Sequence, residues 1–426
     1  MENARKDIKQ ISIKHKRVQT LMNYVNKETL KIQHEKQQKG KATGVDQITK
    51  EEYGENLEEN LDNLISKMKT FSYRPQAVKR TYIPKANGKL RALGIPAYED
   101  KLVQGAMAEV LNKVYEPRFL ECSKGFRPQR SCHQAIAEID KIIMTKKVGY
   151  ILDADIKGFF DNVDHKWLIK FLENDIEDKN FIRYIVRFLK SGIMEELKYY
   201  ESDKGTPQGG LISPILANVY LHYVLDLWFE KAVKPRLKGE AYLVRYADDF
   251  IIMFQYENEA NKVHEVLKKR LEKFGLELAE DKTRILPFGR YKGTKETFDF
   301  LGFTHINGRA RKSGKYIVKR KTSKKKMKAK KEAVKIWIKE NMHKPIADIM
   351  RTLKKKLVGH YNYYGIDGNF KYIRKFYEYV RQRVFKTLNK RTQKNKMKWW
   401  QFNRIWEGFE IPQPKLKVSI YASRVV

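Results

Sequence analysis

The stretch "LVRYADDFIIMF", residues 243–254, sets two adjacent aspartates, Asp248 and Asp249, between two apolar, β-prone runs. Neighbouring carboxylates repel one another and resist burial. Leu243, Val244 and Tyr246 suggest one strand and Phe250 to Phe254 a second, with the aspartates at or near a tight turn between them. A turn presents both carboxylates at a sheet's edge, where a metal cation would cancel their repulsion.

A second apolar run, "LDADIKGFFD" (152–161), supplies the next carboxylates. Tyr150 to Ile156 reads as a buried strand followed by a turn. Asp153 and Asp155 lie two apart on it and so share a face, and Asp161 follows the turn. If this strand neighbours the hairpin, Asp155 meets Asp248 across it. Three carboxylates from adjacent strands suit two Mg²⁺ ions, which prefer hard oxygen ligands. Such ion pairs serve nucleotidyl transfer. Aspartates on otherwise apolar strands cost stability unless they have a purpose.

Around these runs the chain alternates helical and extended patterns. Residues 1 to about 40 look helical, and "ENLEENLDNLISKMKTF" (55–71) repeats apolar residues at three- and four-residue spacing. In "VKRTYIPKANGKLRALGIP" (78–96), apolar and basic residues flank Asn87-Gly88, a hairpin signal. Helices are expected from Glu99 to Tyr115, from Asp164 to about Leu189 and from Asn258 to Phe274. "ILANVYLHYVLDLWFEKA" (215–232) reads as an amphipathic helix, and "TFDFLGFTHI" (297–306) as a short strand pair.

Charge is the loudest global signal. The chain of 426 residues has a formal net charge of +37. Residues 306–426 hold 35 Lys/Arg against 7 Asp/Glu, a formal +28, while the first 305 residues carry +9. "KRKTSKKKMKAKK" (319–331) has nine basic residues in thirteen, and later segments interleave bases with tyrosines and phenylalanines. Such a tract implies a polyanion, with nucleic acid ahead of an anionic membrane. Two cysteines, Cys122 and Cys132, exclude a disulfide framework or a zinc ribbon. The start "MENARKDIKQ" lacks the apolar core of a secretory signal. The uncharged window 205–225 is too polar and too broken to span a membrane, so a cytoplasmic protein is expected.

Several of these segments resemble a known family. "LDADIKGFFD", "GTPQGGLISPILANVYL" (205–221) and "RYADDF" (245–250) resemble, in that order, the palm motifs of reverse transcriptases. "IPKANGKLRALGIP" and "SKGFRPQRSCHQAI" (123–136) resemble the fingers motifs of the group II intron-encoded branch, and "TGVDQIT" (43–49) its N-terminal extension. "DFLGF" (299–303) is similar to the motif between palm and thumb, and "LVGHYNYYG" (357–365) to part of the maturase region. The match covers roughly residues 40 to 380.

The resemblance implies an α+β right-hand polymerase, with fingers and a palm built on an antiparallel sheet, then a helical thumb. Fingers and palm would occupy 1–305, with an N-terminal extension over about 1–75. The thumb would occupy 306–380, and a basic-aromatic segment 381–426. Asp155, Asp248 and Asp249 would bind Mg²⁺, with a backbone carbonyl from Ile156. Lys85 and Arg91 would clamp the triphosphate, Phe160 would select dNTPs, and Gln208 would sense the nucleotide or the template. Arg127 and Arg130 suit template or phosphate contacts, Lys324, Lys325 and Lys326 suit RNA, and Lys282 is a candidate general acid. Arg404 and tryptophans 399, 400 and 406 are placed to stack on nucleic acid, or else form a structural cap.

Many group II intron proteins carry a Cys/His-rich endonuclease domain. Here the last histidine is His360 and the last cysteine Cys132, so the form without that domain is expected. Three functions fit: an RNA-directed DNA polymerase that also acts as a maturase on intron RNA, with DNA as primer or target; a domesticated relative copying a noncoding RNA in antiviral defence; and a non-catalytic RNA-binding splicing factor.

Overall fold

Side-chain caps set two of the early helices. Asn26 and Thr29 form a capping box at Lys27–Lys36, and Thr49 and Glu52 another at Lys50–Glu55. Leu57–Lys69 then buries Leu61, Leu64 and Met68, the stripe its apolar spacing predicts. This computed structural model describes residues 2–84, 90–195, 198–200, 204–206, 209–391 and 396–420. The expected Asn87-Gly88 turn, Lys85 and Gln208 lie outside the described residues.

In chain order the described strands are β1 Val78–Pro84, β2 Leu90–Ile95, β3 Tyr150–Asp155, β4 Ile193–Glu195, β5 Lys198–Tyr200 and β6 Ala241–Tyr246. They continue as β7 Asp249–Phe254, β8 Arg284–Pro287, β9 Thr297–Phe300, β10 Phe303–Arg309 and β11 Tyr316–Thr322. The chain divides into two compact units, residues 1–131 with 152–285, and residues 132–151 with 286–426.

In the first unit, β1 and β2 pair antiparallel from Lys79↔Ile95 to Pro84↔Leu90. β1 also pairs parallel with β4, giving the order β2-β1-β4-β5. That parallel pairing joins segments more than a hundred residues apart and has no local signal in the sequence. A second sheet has the order β6-β7-β3-β8, so β3 does neighbour the aspartate hairpin. The helix read as amphipathic differs. From Ser213 to Leu221 every residue except Pro214 is buried, and the helix then widens into π-helical turns at His222–Asp226 and Phe229–Val233. Its first half is enclosed, with helices His165–Asp175 and Tyr98–Tyr115 among its neighbours, while Lys231 near its end is exposed.

In the second unit the expected strand pair is a three-stranded sheet, β11-β10-β9. The extra strand comes from the basic tract. Val318, Arg320 and Thr322 point inward at two-residue spacing while Lys319 faces out. Arg320 is buried and pairs with Asp140. Ser323 then caps the helix Lys324–Glu340, whose first lysines are exposed. A run that reads as uniform charge therefore splits into a core strand and a basic helix.

Helices Ile346–Tyr364, Phe370–Leu388 and Trp399–Gly408 close around Leu353, Leu357, Tyr361, Phe376, Val380, Phe402 and Trp406. Trp406 donates its indole N–H to the Tyr377 hydroxyl at 3.0 Å. Burying a side chain of that size is worth about 3–5 kcal/mol against alanine. No helix among the described residues is long and apolar enough to cross a membrane.

Of the five histidines buried among the described residues, three are strongly shifted. Burial lowers the pKa of His222 to about 4 and that of His360 to about 3. Burial, aided by the Arg320 cation, takes His305 well below its ordinary value. The folded state resists protonation that the unfolded chain accepts near pH 6.5. The stability these histidines contribute is therefore full above about pH 6.5 and falls as pH drops toward 4. Neither ring nitrogen of His360 meets a hydrogen-bond partner among the described residues, and the ring stacks on Phe376 at 4.0 Å. His360→Phe should fold and lose less melting temperature between pH 7 and pH 4.5 than the parent. Equal losses would overturn this account.

Candidate active site

β6 and β7 pair in register from Ala241↔Phe254 to Tyr246↔Asp249, leaving Ala247 and Asp248 as a two-residue turn. Ala247 has φ 58°, the left-handed region that such a turn asks of its first central residue. Glycine adopts it freely and alanine does not, so surrounding structure must hold it. Asp248 projects from the turn half-buried, and Asp249 opens β7 exposed.

Asp155 closes β3 from the facing side. Beyond it, Ala279 donates its N–H to the Asp155 carbonyl at 2.8 Å, and Lys157 donates to the Glu277 carbonyl at 2.9 Å. This short ladder lays the segment holding Lys282 along the end of β3, and the Lys282 ammonium meets Asp155 Oδ2 at 2.5 Å. The same ladder flanks Ile156, which is buried and pairs with Leu278. Its own carbonyl is directed to the other side of the strand. Asp153 faces Arg284, with 3.8 Å between Oδ2 and Nε.

Electrostatics tie the members together. Burial pushes the Asp248 carboxyl above the usual carboxylate range. A backbone N–H offsets part of this, the Asp155 charge adds to it, and the Arg91 and Arg245 cations oppose it. Lys282 is raised by its hydrogen bond to Asp155, with Asp281 and Asp249 adding to the effect, so it stays protonated. The structure therefore gathers Asp155, Asp248, Asp249, Lys282 and Arg91.

The three carboxylates offer only hard oxygen donors, a set that fits a divalent cation. Among the described residues no group of three or more His, Cys, Asp or Glu is already arranged to hold one. Asp155 is paired with the Lys282 ammonium.

Phe160 lies half-buried between Phe159 and the exposed Phe126, at ring separations of 5.3 and 6.3 Å. Its carbonyl accepts from Thr206 N–H at 2.8 Å. Gly205 packs on the Phe160 carbonyl, where a Cβ would come within 2.9 Å. A Cβ on Gly209 would stand 2.4 Å from the Gly94 carbonyl of β2. The "GTPQGG" loop is thus gripped at both ends by close backbone contact. Arg91 is exposed on β2, opposite Ile83.

The expected nucleic-acid contacts divide. Arg127 is only 6% exposed. It donates to both Glu116 carboxylate oxygens and to the Leu120 and Ser123 carbonyls. A guanidinium with those partners braces the loop and is not offered to phosphate. Arg130 is partly exposed and pairs with Glu121 at 2.7 Å. In the second unit, Lys324, Lys325, Lys326 and Arg404 are all exposed. Trp400 is 56% exposed, and Trp399 stacks on Phe385 at 3.8 Å, whereas Trp406 is core.

One further residue of the stretch 243–254 belongs to this neighbourhood without any motif to mark it. Arg245 is wholly buried and bonded to Asp226. Its signal was a lone cation between Val244 and Tyr246 in an apolar run.

A family model described as reverse transcriptase (RNA-dependent DNA polymerase) matches residues 83–305, just over half the chain. The group II intron-encoded protein LtrA of Lactococcus lactis subsp. cremoris is 35% identical over 326 residues, covering 62% of this chain and 53% of LtrA. Protein YkfC of Escherichia coli (strain K12) is 32% identical over 299 residues, covering 63% of this chain and 77% of that protein. An uncharacterized 91 kDa protein in the cob intron of Schizosaccharomyces pombe is 41% identical over 170 residues, covering 40% of this chain and 21% of that protein. The chain spans about half the length of LtrA. The chain belongs to the reverse transcriptase family, in its group II intron-encoded reverse transcriptase and maturase branch, and has the α+β fold of a right-hand polymerase.

Proposed function

We propose that this chain is an RNA-directed DNA polymerase that extends a DNA primer with dNTPs on an RNA template, using Mg²⁺. The observation that carries the reading is the grouping of Asp155 and Asp248 with Lys282 and Arg91 at the ends of β3 and the β6–β7 hairpin. Asp155, Asp248 and Asp249 would hold Mg²⁺, with the Ile156 carbonyl. When bound, the ions would activate the attacking hydroxyl and offset charge on the leaving pyrophosphate.

The remaining roles belong to the chain itself. Arg91, with Lys85, draws the triphosphate toward the carboxylates. Phe160 closes the space beside the sugar, and Gln208 contacts the nucleotide or template. Lys282, released from Asp155 when the ions bind, would donate a proton to pyrophosphate. Residues 1–305 act as fingers and palm, with the N-terminal extension over about 1–75. Residues 306–380 act as thumb, and 381–426 as a basic-aromatic appendage. The exposed lysines that open Lys324–Glu340 oppose the helix dipole and favour a polyanion beside them. They support binding of structured intron RNA as a maturase, in the cytoplasm, with DNA as primer or target.

Incorporation of dTTP on poly(rA)/oligo(dT) with Mg²⁺ tests the reading. Activity is expected in the parent and should fall to background in Asp248→Ala. A folded parent with no incorporation points instead to a non-catalytic RNA-binding factor. The RNA that copurifies separates the intron role from a defence role, because an RNA without a catalytic intron core would replace splicing with templating.

Two further outcomes follow from charge. Lys282→Ala unmasks Asp155, so Mn²⁺ followed by electron paramagnetic resonance should bind more tightly than to the parent. Unchanged or weaker binding would show that Lys282 does not compete for the site. RNA affinity should fall by about 10³–10⁵ between roughly 50 and 200 mM salt if the basic third contacts six to ten phosphates. A flat salt response removes that contribution.

A further inference from the structure

Arg245 has no access to solvent, and neither has its partner Asp226. The two meet fork to fork, with Nε to Oδ1 at 2.7 Å and Nη2 to Oδ2 at 2.5 Å. The remaining terminal nitrogen, Nη1, donates to the Asn218 side-chain oxygen at 3.1 Å and to the Ala247 carbonyl at 2.9 Å. That carbonyl belongs to the peptide joining Ala247 to Asp248.

Three segments far apart in sequence converge here. Asn218 and Asp226 come from one helix, eight residues apart, and the π-helical turn at His222–Asp226 lets both face the same guanidinium. Asn218 passes the restraint on, donating its amide to the Gly125 carbonyl at 2.7 Å. The loop ahead of Gly125 runs along the outer edge of β6. Arg245 N–H donates to the Cys122 carbonyl at 2.8 Å, and Lys124 N–H to the Arg245 carbonyl at 2.9 Å. Gly125 then abuts the turn so closely that a Cβ would lie 2.2 Å from the Ala247 nitrogen. The left-handed Ala247 is thus held from above by Gly125 and from below by Arg245.

We propose that Arg245 is a positioning residue for the polymerase reaction: by gripping the Ala247 carbonyl it orients the peptide that carries Asp248, while Asp226 and Asn218 orient Arg245. The inference rests on the polymerase reading. Lysine could not replace the arginine, because one ammonium cannot fork to Asp226 and reach both Asn218 and Ala247 in fixed directions.

The experiment compares the parent with Arg245→Lys and with the double variant Arg245→Met/Asp226→Leu. Removing both charges leaves neither buried and alone, so the double variant is expected to fold. Its melting temperature should lie within about 4 °C of the parent's. Its kcat on poly(rA)/oligo(dT) should fall by about 10²-fold, the scale of a small displacement of a reacting group. The Mg²⁺ concentration for half-maximal rate should rise while KM for dTTP holds, a split that a smaller folded fraction would not produce. Mn²⁺ binding without nucleic acid should weaken in both variants.

A folded double variant with parental kcat, Mg²⁺ requirement and Mn²⁺ affinity overturns the proposal. If the double variant does not fold, Arg245→Lys decides on the same readings. A parent with no dTTP incorporation overturns the polymerase reading instead. Positioning is then judged by Mn²⁺ affinity alone, and equal affinity in parent and Arg245→Lys defeats it.

Discussion

A guanidinium sealed from water lies beneath the turn that carries Asp248 and Asp249. Burying that charge is costly, and only a well-formed pair with further hydrogen bonds offsets the cost. Burial would lower the pKa of Arg245, yet the opposing Asp226 carboxylate keeps it raised. The demand for partners explains the surroundings: a helix that widens to present Asp226, an asparagine reaching a glycine loop, and an alanine in a backbone region it seldom adopts. A turn bearing two like charges at a sheet edge would otherwise yield to their repulsion.

Around that anchor the site is assembled by close backbone contact as much as by side chains. Gly205 touches the Phe160 carbonyl, Gly209 the Gly94 carbonyl, and Gly125 the turn itself. Glycine at Gly205 and Gly209 meets two demands together, since both have positive φ and both sit where a Cβ would strike a neighbour. The same economy places Lys282, whose position follows from two main-chain hydrogen bonds beside β3.

The second unit keeps its charge and its core on opposite faces of the same elements. β11 buries Val318, Arg320 and Thr322 and turns its lysines outward, and the helix after it exposes its opening lysines. The helix Trp399–Gly408 buries Phe402 and Trp406 while exposing Trp400 and Arg404. One face of this helix therefore closes the core while the other is exposed.

By itself the sequence determined the local features: the aspartate hairpin, the strand carrying Asp155, the amphipathic helices and the concentration of charge. The strands and helices depend on a two- or three-to-four-residue period, and such periods survive in a linear reading. Only the tertiary structure decided which charges are structural and which are offered. Arg127, Arg245 and Arg320 are indistinguishable in sequence from exposed arginines, yet each is buried against an acid brought from elsewhere in the chain. The parallel pairing of β1 with β4 and the meeting of Lys282 with Asp155 were likewise beyond a linear reading. The physical reason is common to all of them. A buried charge is fixed by its partner, and the partner's identity depends on long-range chain closure that no local pattern records.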